Sequence, residues 1–294
     1  MTLSLTDMAQ QLAQSPDYQV LHRLAPAQDF TPASAQPGPR HQVCIIDTET
    51  TGLNTDECEL IELGYQVVEF DSDGQFYRVL CAKNFLNEPE RPIPPEVTQV
   101  THLTDDDVRG HKIPWEEVIA DLSPVQLCVA HNAGFDRPIV ERYADLFKEK
   151  VWGCSVRQID WLKLAGVGSR SQEMLCWKLG GFFYDAHRAL DDVQALTQLL
   201  SQSVGEPPTP VFQSLLAGVR EQKALIKATG APFELKDALK QRGYRWQPAQ
   251  RVWQKMFNAS DTQNEMAWLK ENGVPNPDIK KIKATDTFSK RAEL

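Results

Sequence analysis

The sequence predicts an α/β protein: a mixed sheet flanked by helices, followed by a small C-terminal α+β module. Three observations lead there. Residues 42–48, 60–70 and 75–84 read as three strands of an antiparallel meander. Helical patterns then alternate with a short apolar strand at Leu127-Cys128-Val129-Ala130, an order that covers a mixed sheet with helices. Beyond Pro207-Pro208-Thr209-Pro210 the chain turns basic and aromatic, which sets a second unit apart.

Residues 4–14 suit a short helix, with Leu5, Met8 and Leu12 at helical spacing. Tyr18 to Leu24 is an apolar fragment suited to docking. Ala25 to Arg40 carries Pro26, Pro32, Pro37 and Pro39 and has the composition of an extended or disordered linker. Residues 1–39 therefore form an N-terminal helix and Pro-rich linker ahead of a main domain at 40–203. Asp71-Ser72-Asp73-Gly74 turns the second strand into the third. After the loop marked by Pro92, Pro94 and Pro95, Thr104-Asp105-Asp106-Asp107 reads as a capped helix start. A helix follows over Trp115–Leu122. The strand at 127–130 ends at His131-Asn132. Phe135, Ile139, Tyr143, Leu146 and Phe147 then predict helix from Gly134 to Lys150. Two short helices are expected at 157–165 and 172–180. His187 to Leu200 is amphipathic, with Leu190, Val193, Leu196 and Leu200 facing one core.

Residues 204–229 read as a linker and a helix at about 211–228, and 230–275 as a small basic aromatic module. Within the module a helix near 232–240 precedes a hairpin of Gly243–Trp246 and Arg251–Lys255. Residues 276–294 have the composition of a mobile tail. Trp152, Trp161 and Trp177 are expected in the core. Most of Tyr244, Trp246 and Trp253 are expected there too, although beside Arg242, Arg245, Arg251 and Lys255 they also suit stacking on bases.

The net charge of −9 is unevenly spread. Residues 205–294 hold 15 Lys+Arg against 10 Asp+Glu, and residues 1–204 hold 16 against 30. The acidic part suits a metal site, and the basic part could attract a phosphate backbone. No apolar run reaches membrane-helix length, and the start lacks a secretory profile. The six cysteines form no close pairs, and several lie in apolar runs. A cytoplasmic protein without disulfides or membrane contact is expected.

The chemistry centres on Val43-Cys44-Ile45-Ile46-Asp47-Thr48-Glu49-Thr50-Thr51-Gly52. Asp47 and Glu49 leave the same face of a strand, and two such carboxylates repel unless a cation sits between them or one keeps its proton. A second strand ends at His131-Asn132 and places Asp136 in the first turn of a helix. His187 and Asp192 stand about one turn apart at another helix start. Four carboxylates from three segments suit two hard divalent cations, Mg²⁺ or Mn²⁺. A zinc site would bring more His or Cys, and no Gly-x-Ser-x-Gly elbow is present. Two cations can activate a water and stabilise the leaving oxygen of a phosphoryl displacement. An imidazole such as His187 is suited to take the proton of that water.

Ile46-Asp47-Thr48-Glu49-Thr50-Thr51-Gly52, His131-Asn132-Ala133-x-Phe135-Asp136 and His187-x-Ala189-x-x-Asp192 resemble the three motifs of the DEDDh exonucleases. That family includes the epsilon proofreading subunit of bacterial DNA polymerase III. The resemblance spans about residues 40–203 in the family's order and spacing. It implies a ribonuclease H-like fold with a five-stranded sheet and release of 5′-mononucleotides from a 3′ end. It makes Asp47, Glu49, Asp136 and Asp192 the metal ligands and His187 the general base, and it places the terminal nucleotide near the backbone of Thr50, Thr51, Gly52 and Leu53. The chain departs from many relatives at Thr101-His102-Leu103-Thr104, where they read His-Gly-Ile-Thr in a loop that helps hold the 3′ nucleotide. His102 and Asn132 complete the substrate-binding candidates. The expected partner is a single-stranded or frayed 3′ end of DNA, with a polymerase or another replication or repair protein as a possible associate. An RNA-trimming exoribonuclease is the alternative within the enzyme class. An interaction protein using the nuclease fold as a scaffold is the alternative outside it.

Overall fold

The computed structural model describes residues 3–32 and 38–292. Residues 33–37 of the Pro-rich segment and the last two residues of the tail lie outside the described residues. Helix α1 (Leu5–Ala13) starts at Ser4, whose hydroxyl accepts from the Asp7 N–H while the Asp7 carboxylate accepts from the Ser4 N–H. Strand β1 (His22–Arg23) follows, and then residues 28–30 run extended along the edge of the main sheet, where Val79 N donates to Gln28 O.

The meander is β2 (His41–Thr50), β3 (Leu60–Phe70) and β4 (Phe76–Leu86). Helices α2 (Pro95–Thr101), α3 (Asp105–Val108) and α4 (Trp115–Leu122) lead to β5 (Leu127–Ala130). Next come α5 (Ala133–Val140), α6 (Leu146–Glu149), β6 (Val151–Cys154), α7 (Ser155–Gln158), α8 (Trp161–Ala165), α9 (Gln172–Leu175) and β7 (Phe182–Phe183). β7 takes β1 as a parallel partner, so the predicted docking fragment is a short strand. Helix α10 (Ala189–Leu200) closes the set, and a small β8 (Ser203–Val204)–β9 (Thr209–Pro210) ladder leads into α11 (Val211–Arg220).

The sheet runs in the order β4-β3-β2-β5-β6, with β4, β3 and β2 antiparallel and β5 and β6 parallel to β2. β2 is central, and Val43 to Ile46 are fully buried because helices cover both faces. Alternation divides its side chains between two cores. Val43 and Ile45 pack with Leu196, Leu199 and Phe212 beneath α10 and α11, while Cys44 and Ile46 pack with Ile139, Phe147 and Trp152 beneath α5 and α6. All six cysteines are free thiols. No helix among the described residues is long and apolar enough to cross a membrane.

Several elements differ from expectation. The single helix over 134–150 is two, α5 and α6, because the chain turns after Val140. Arg142 donates to Cys58 O at 2.5 Å, and Tyr143 stacks on Trp115 with its hydroxyl accepting from Leu60 N, which pins the turn. The four-residue spacing of apolar side chains survives across the break. Trp152 and Trp161 are buried, but Trp177 is 36% exposed under the Lys178 ammonium.

The helix expected over 211–228 ends at Arg220, and Lys223–Ala228 is strand β10. An apolar run this short fits helix or strand equally, and its partners decide. Helix α12 (Lys236–Gln241) and the hairpin of β11 (Arg245–Gln247) and β12 (Val252–Asn258) form as expected. Helix α13 (Thr262–Glu271) is additional, and β13 (Asp278–Ile282) occupies part of the expected mobile tail. This second sheet has the order β11-β12-β10-β13. Tyr244 and Leu269 are in its core, Trp253 is half-buried, and Trp246 is 45% exposed. The rest of the tail folds back onto the main domain, where Arg137 Nη1 donates to Thr287 O at 2.7 Å and Arg291 Nη1 to Glu141 at 2.8 Å. Those charged contacts hold a segment whose composition alone suggested mobility.

Candidate active site

The alternation of β2 that divides the cores also builds the site. Asp47 and Glu49 continue the face of Val43 and Ile45, toward α10, whereas Thr48 points to the α5 side. Helix α10 brings Asp192 to that face, so that one carboxylate oxygen each of Asp47, Glu49 and Asp192 lies within 4.8 Å of the others. Asp136 comes around the strand end from the opposite layer. Its Oδ1 accepts from Thr48 N at 3.1 Å and Thr48 Oγ1 at 2.9 Å. Of the four expected ligands, three thus form the tight cluster and the fourth is held beside it by the intervening threonine. A bulge in the β2–β3 pairing falls between Glu49 and Thr50, where bulges re-aim side chains.

Close approach of α10 depends on a glycine. Gly64 pairs with Asp47 across the ladder, and a Cβ there would sit 2.4 Å from the Ala189 carbonyl carbon. Glu62 pairs with Glu49 two residues along and is fully buried. It accepts from Arg188 Nη2 at 2.8 Å, Asn84 Nδ2 at 2.8 Å and Ala189 N at 3.0 Å, which ties the start of α10 to β3. On the other side, Asp192 Oδ1 accepts from Tyr184 Oη at 2.8 Å and Gln172 Nε2 at 3.2 Å, and Oδ2 accepts from His187 N at 2.7 Å. Glu62, Gln172 and Tyr184 escaped the sequence reading. Glu62 alone left a signal, a charge inside the apolar run Leu60-Ile61-Glu62-Leu63.

Crowding of like charges is visible in the titration of the group. Burial, then Asp136, Asp192 and Glu49, hold the Asp47 carboxyl well above the usual range. Burial, then Asp192 and Glu62, push Glu49 up to about 8. Asp136 rises to about 7, mainly through burial, against the lowering effect of the Thr48 hydrogen bonds. Asp192 is raised by burial, with Tyr184 and His187 N–H opposing. A divalent cation relieves this repulsion and suits a set of hard oxygens, so the residues fit the metal expected of them.

His187 has a left-handed φ of 68° just ahead of α10 and an exposed side chain. It lines one groove with His102, itself at φ 59° after α2, together with Arg188 and Asp191. Asp191 lies outside the tight carboxylate cluster. Thr51, Gly52 and Leu53 line a second groove with Arg91 and Pro94. Thr50 Oγ1 donates to Gly52 O at 2.7 Å and shapes that turn, and the Leu53 side chain is 89% exposed. Asn132 is exposed ahead of α5, caps nothing with its side chain, and lines a third groove. Beside it His131 bridges Ser155 Oγ at 2.6 Å and Arg170 O at 2.8 Å. Burial lowers its pKa, so the neutral ring donates to the carbonyl and accepts from the hydroxyl.

Residues 44–200 match the exonuclease family RNase_T. Over 169 residues the chain is 32% identical to the DNA polymerase III subunit epsilon of Treponema pallidum (strain Nichols), covering 54% of this chain and 74% of that one. It is 31% identical to the PolC-type DNA polymerase III of Thermotoga petrophila, again over 54% of this chain but 12% of that much longer one. Among solved structures, Exonuclease X in complex with 5′ overhanging duplex DNA aligns with a TM-score of 0.42 at 25% identity, over 54% of this chain and 89% of that one. The ribonuclease H-like domain with its five-stranded mixed sheet and clustered carboxylates thus carries the sequence of a known hydrolase family, and the chain belongs to the 3′–5′ exonucleases of the RNase_T family.

Proposed function

We propose that this exonuclease removes 5′-mononucleotides from the 3′ end of a single-stranded or frayed DNA, using two divalent cations, Mg²⁺ or Mn²⁺, held by Asp47, Glu49, Asp136 and Asp192. The observation that carries the reading is the cluster of three carboxylate oxygens within 4.8 Å, raised in pKa and bordered by a groove containing His187. When bound, such cations supply Lewis-acid stabilisation of charge on the scissile phosphodiester. His187 accepts the proton of the attacking water as the water oxygen bonds to phosphorus. The bond from phosphorus to the 3′ oxygen of the preceding nucleotide breaks, and that oxygen leaves with a proton from solvent. Tyr184, Gln172 and the His187 N–H hold the Asp192 carboxylate in place, and Glu62 holds the start of α10. The turn at Thr50–Leu53, His102 and Asn132 lie along the three grooves and are assigned to the terminal nucleotides.

DNA is preferred as substrate, and a polymerase as partner in the cytoplasm, on the strength of the relatives' names as subunits of DNA polymerase III. The test is digestion of matched single-stranded DNA and RNA, labelled at either end, with Mn²⁺. Shortening of DNA from the 3′ end with release of 5′-mononucleotides is expected. Full activity in EDTA, or in Asp47→Asn, sinks the metal mechanism, and faster digestion of RNA replaces the substrate.

A further inference from the structure

A cleft of about 680 Å³ separates the exonuclease domain from the C-terminal module. Six of its lining residues are basic, and Asp261 is its single carboxylate. The third groove of the active site, which begins at Asn132 and Ser171, shares Arg157, Arg170 and Arg245 with it, so the two form one trough. Its inner end adjoins, along the chain, two segments that build the site. Asn132 immediately precedes α5, which carries Asp136, and Ser171 immediately precedes Gln172, which bonds Asp192.

The lysines of this trough already have partners. Lys223 donates to Asn258 and Glu221, Lys255 to Arg242 O, and Lys290 to Asp56. Arg157, Arg170 and Arg245 differ. They come from α7, the loop before α9, and β11, and their guanidinium groups are exposed with no carboxylate partner among the described residues. By contrast, two other arginines of the C-terminal region are held by carboxylates. Arg242 grips Glu265 with two nitrogens, and Arg291 grips Glu141 and Asp286. Three unpaired like charges drawn to one trough repel until an anion lies between them. Partly exposed Met256, Phe257 and Phe288 in the same walls offer apolar surface to bases.

We propose that the trough binds the sugar–phosphate backbone of the single strand behind the 3′ end, with Arg157, Arg170 and Arg245 as its phosphate contacts. Its direction rests on the exonuclease reading, because the strand enters along the module and delivers its 3′ terminus past Asn132 to the carboxylates. Contacts to phosphate carry no sequence information, so the trough adds affinity and processivity without base preference.

The test uses the full chain and a triple variant, Arg157→Gln, Arg170→Gln, Arg245→Gln, all at exposed positions. Binding of a labelled oligo(dT) of ~20 nucleotides is read by anisotropy in EDTA across a NaCl series. Losing three phosphate contacts at about 0.7 each should flatten the log–log salt slope by about 2 and weaken binding on the order of tenfold or more. Hydrolysis of the p-nitrophenyl ester of thymidine 5′-monophosphate with Mn²⁺, which does not reach the trough, should be unchanged. The triple Lys variant should recover much of the slope. Unchanged affinity and slope in the Gln variant overturn the proposal. A parallel loss of ester hydrolysis does so too, because the arginines would then act at the reaction centre, as does equal binding of polyglutamate. Absence of ester hydrolysis in the unaltered protein would instead overturn the exonuclease reading, and the EDTA titration still decides the trough.

Discussion

Asp136 and Arg137 are neighbours on α5, both buried, and they face opposite electrostatic surroundings. Arg137 donates to Glu141 at 2.6 Å and to the carbonyls of Thr285 and Thr287, and Glu141 also holds Arg291. Arg137, Glu141 and Arg291 thus each have a counter-charge or a carbonyl. Asp136 accepts from the neutral Thr48, and the charges that raise its pKa and that of Asp47 are further carboxylates. A buried charge whose neighbours satisfy it holds a structure together. A set of buried like charges fixed by neutral donors is a binding site, and it gains its stability from the ligand.

The largest effect should come from breaking the satisfied side. Arg137→Ala leaves the Thr287 carbonyl unpaired, and removes the fully buried partner of Glu141, leaving that carboxylate and Thr285 O to Arg291 alone. The expected loss is about 3–5 kcal/mol, read by chemical denaturation. A loss below about 1 kcal/mol would show that the tail contributes little to α5. Smaller but more local is Gly64→Ala. Its methyl group meets the backbone of Ala189 and Leu190, which cannot yield as a side chain end would, so α10 must move outward. A cost of about 1–3 kcal/mol is expected. Because Asp192 rides on α10, turnover should fall far more than this destabilisation explains, measured well below the melting temperature. Retained turnover would mean that the carboxylate cluster tolerates the shift.

The unsatisfied side should respond to pH with the opposite sense to an ion pair. Glu49, at about 8, and Asp136, at about 7, keep protons in the folded state that the unfolded chain releases near pH 4 to 5. Between those limits the folded protein binds more protons, so stability without metal falls as pH rises. In EDTA the melting temperature should drop from pH 5 to 8.5, and Mn²⁺ should remove most of the drop. Asp192→Asn should flatten the curve by withdrawing the carboxylate that raises both Glu49 and Asp136, while abolishing activity. A flat curve for the unaltered protein would refute the crowding.

The asymmetry on α5 also explains what the sequence disclosed. Asp47, Glu49 and Asp192 could be brought together from their motifs because strand alternation and helix position are local properties of the chain. Four strands of the sheet were legible in the same way, and the fifth followed only from the family resemblance, because β6, with four residues ahead of α7, is too short to give a periodicity of its own. The partners that aim the carboxylates were not legible. Tyr184 and Gln172 meet Asp192 through a turn whose path no spacing encodes, and Gly64 is one glycine among sixteen until α10 is seen against it. The tail was misread for the same reason: Arg137 lies about 150 residues away from the carbonyls it binds, and composition cannot register such a contact.

Among the tail's own contacts, the pair of Lys290 with Asp56 is the closest to solvent, with side chains 47% and 73% exposed. Water and salt screen such a pair, and holding two flexible side chains together offsets much of the attraction. Asp56→Asn should therefore cost about 0–1 kcal/mol and lose even that at high salt. The comparison with Arg137→Ala isolates burial as the variable, since both substitutions break a contact between the tail and the main domain. If Asp56→Asn destabilised the protein as much as Arg137→Ala, the tail would be held by its total charge, and the distinction between the two sides of α5 would lose its physical basis.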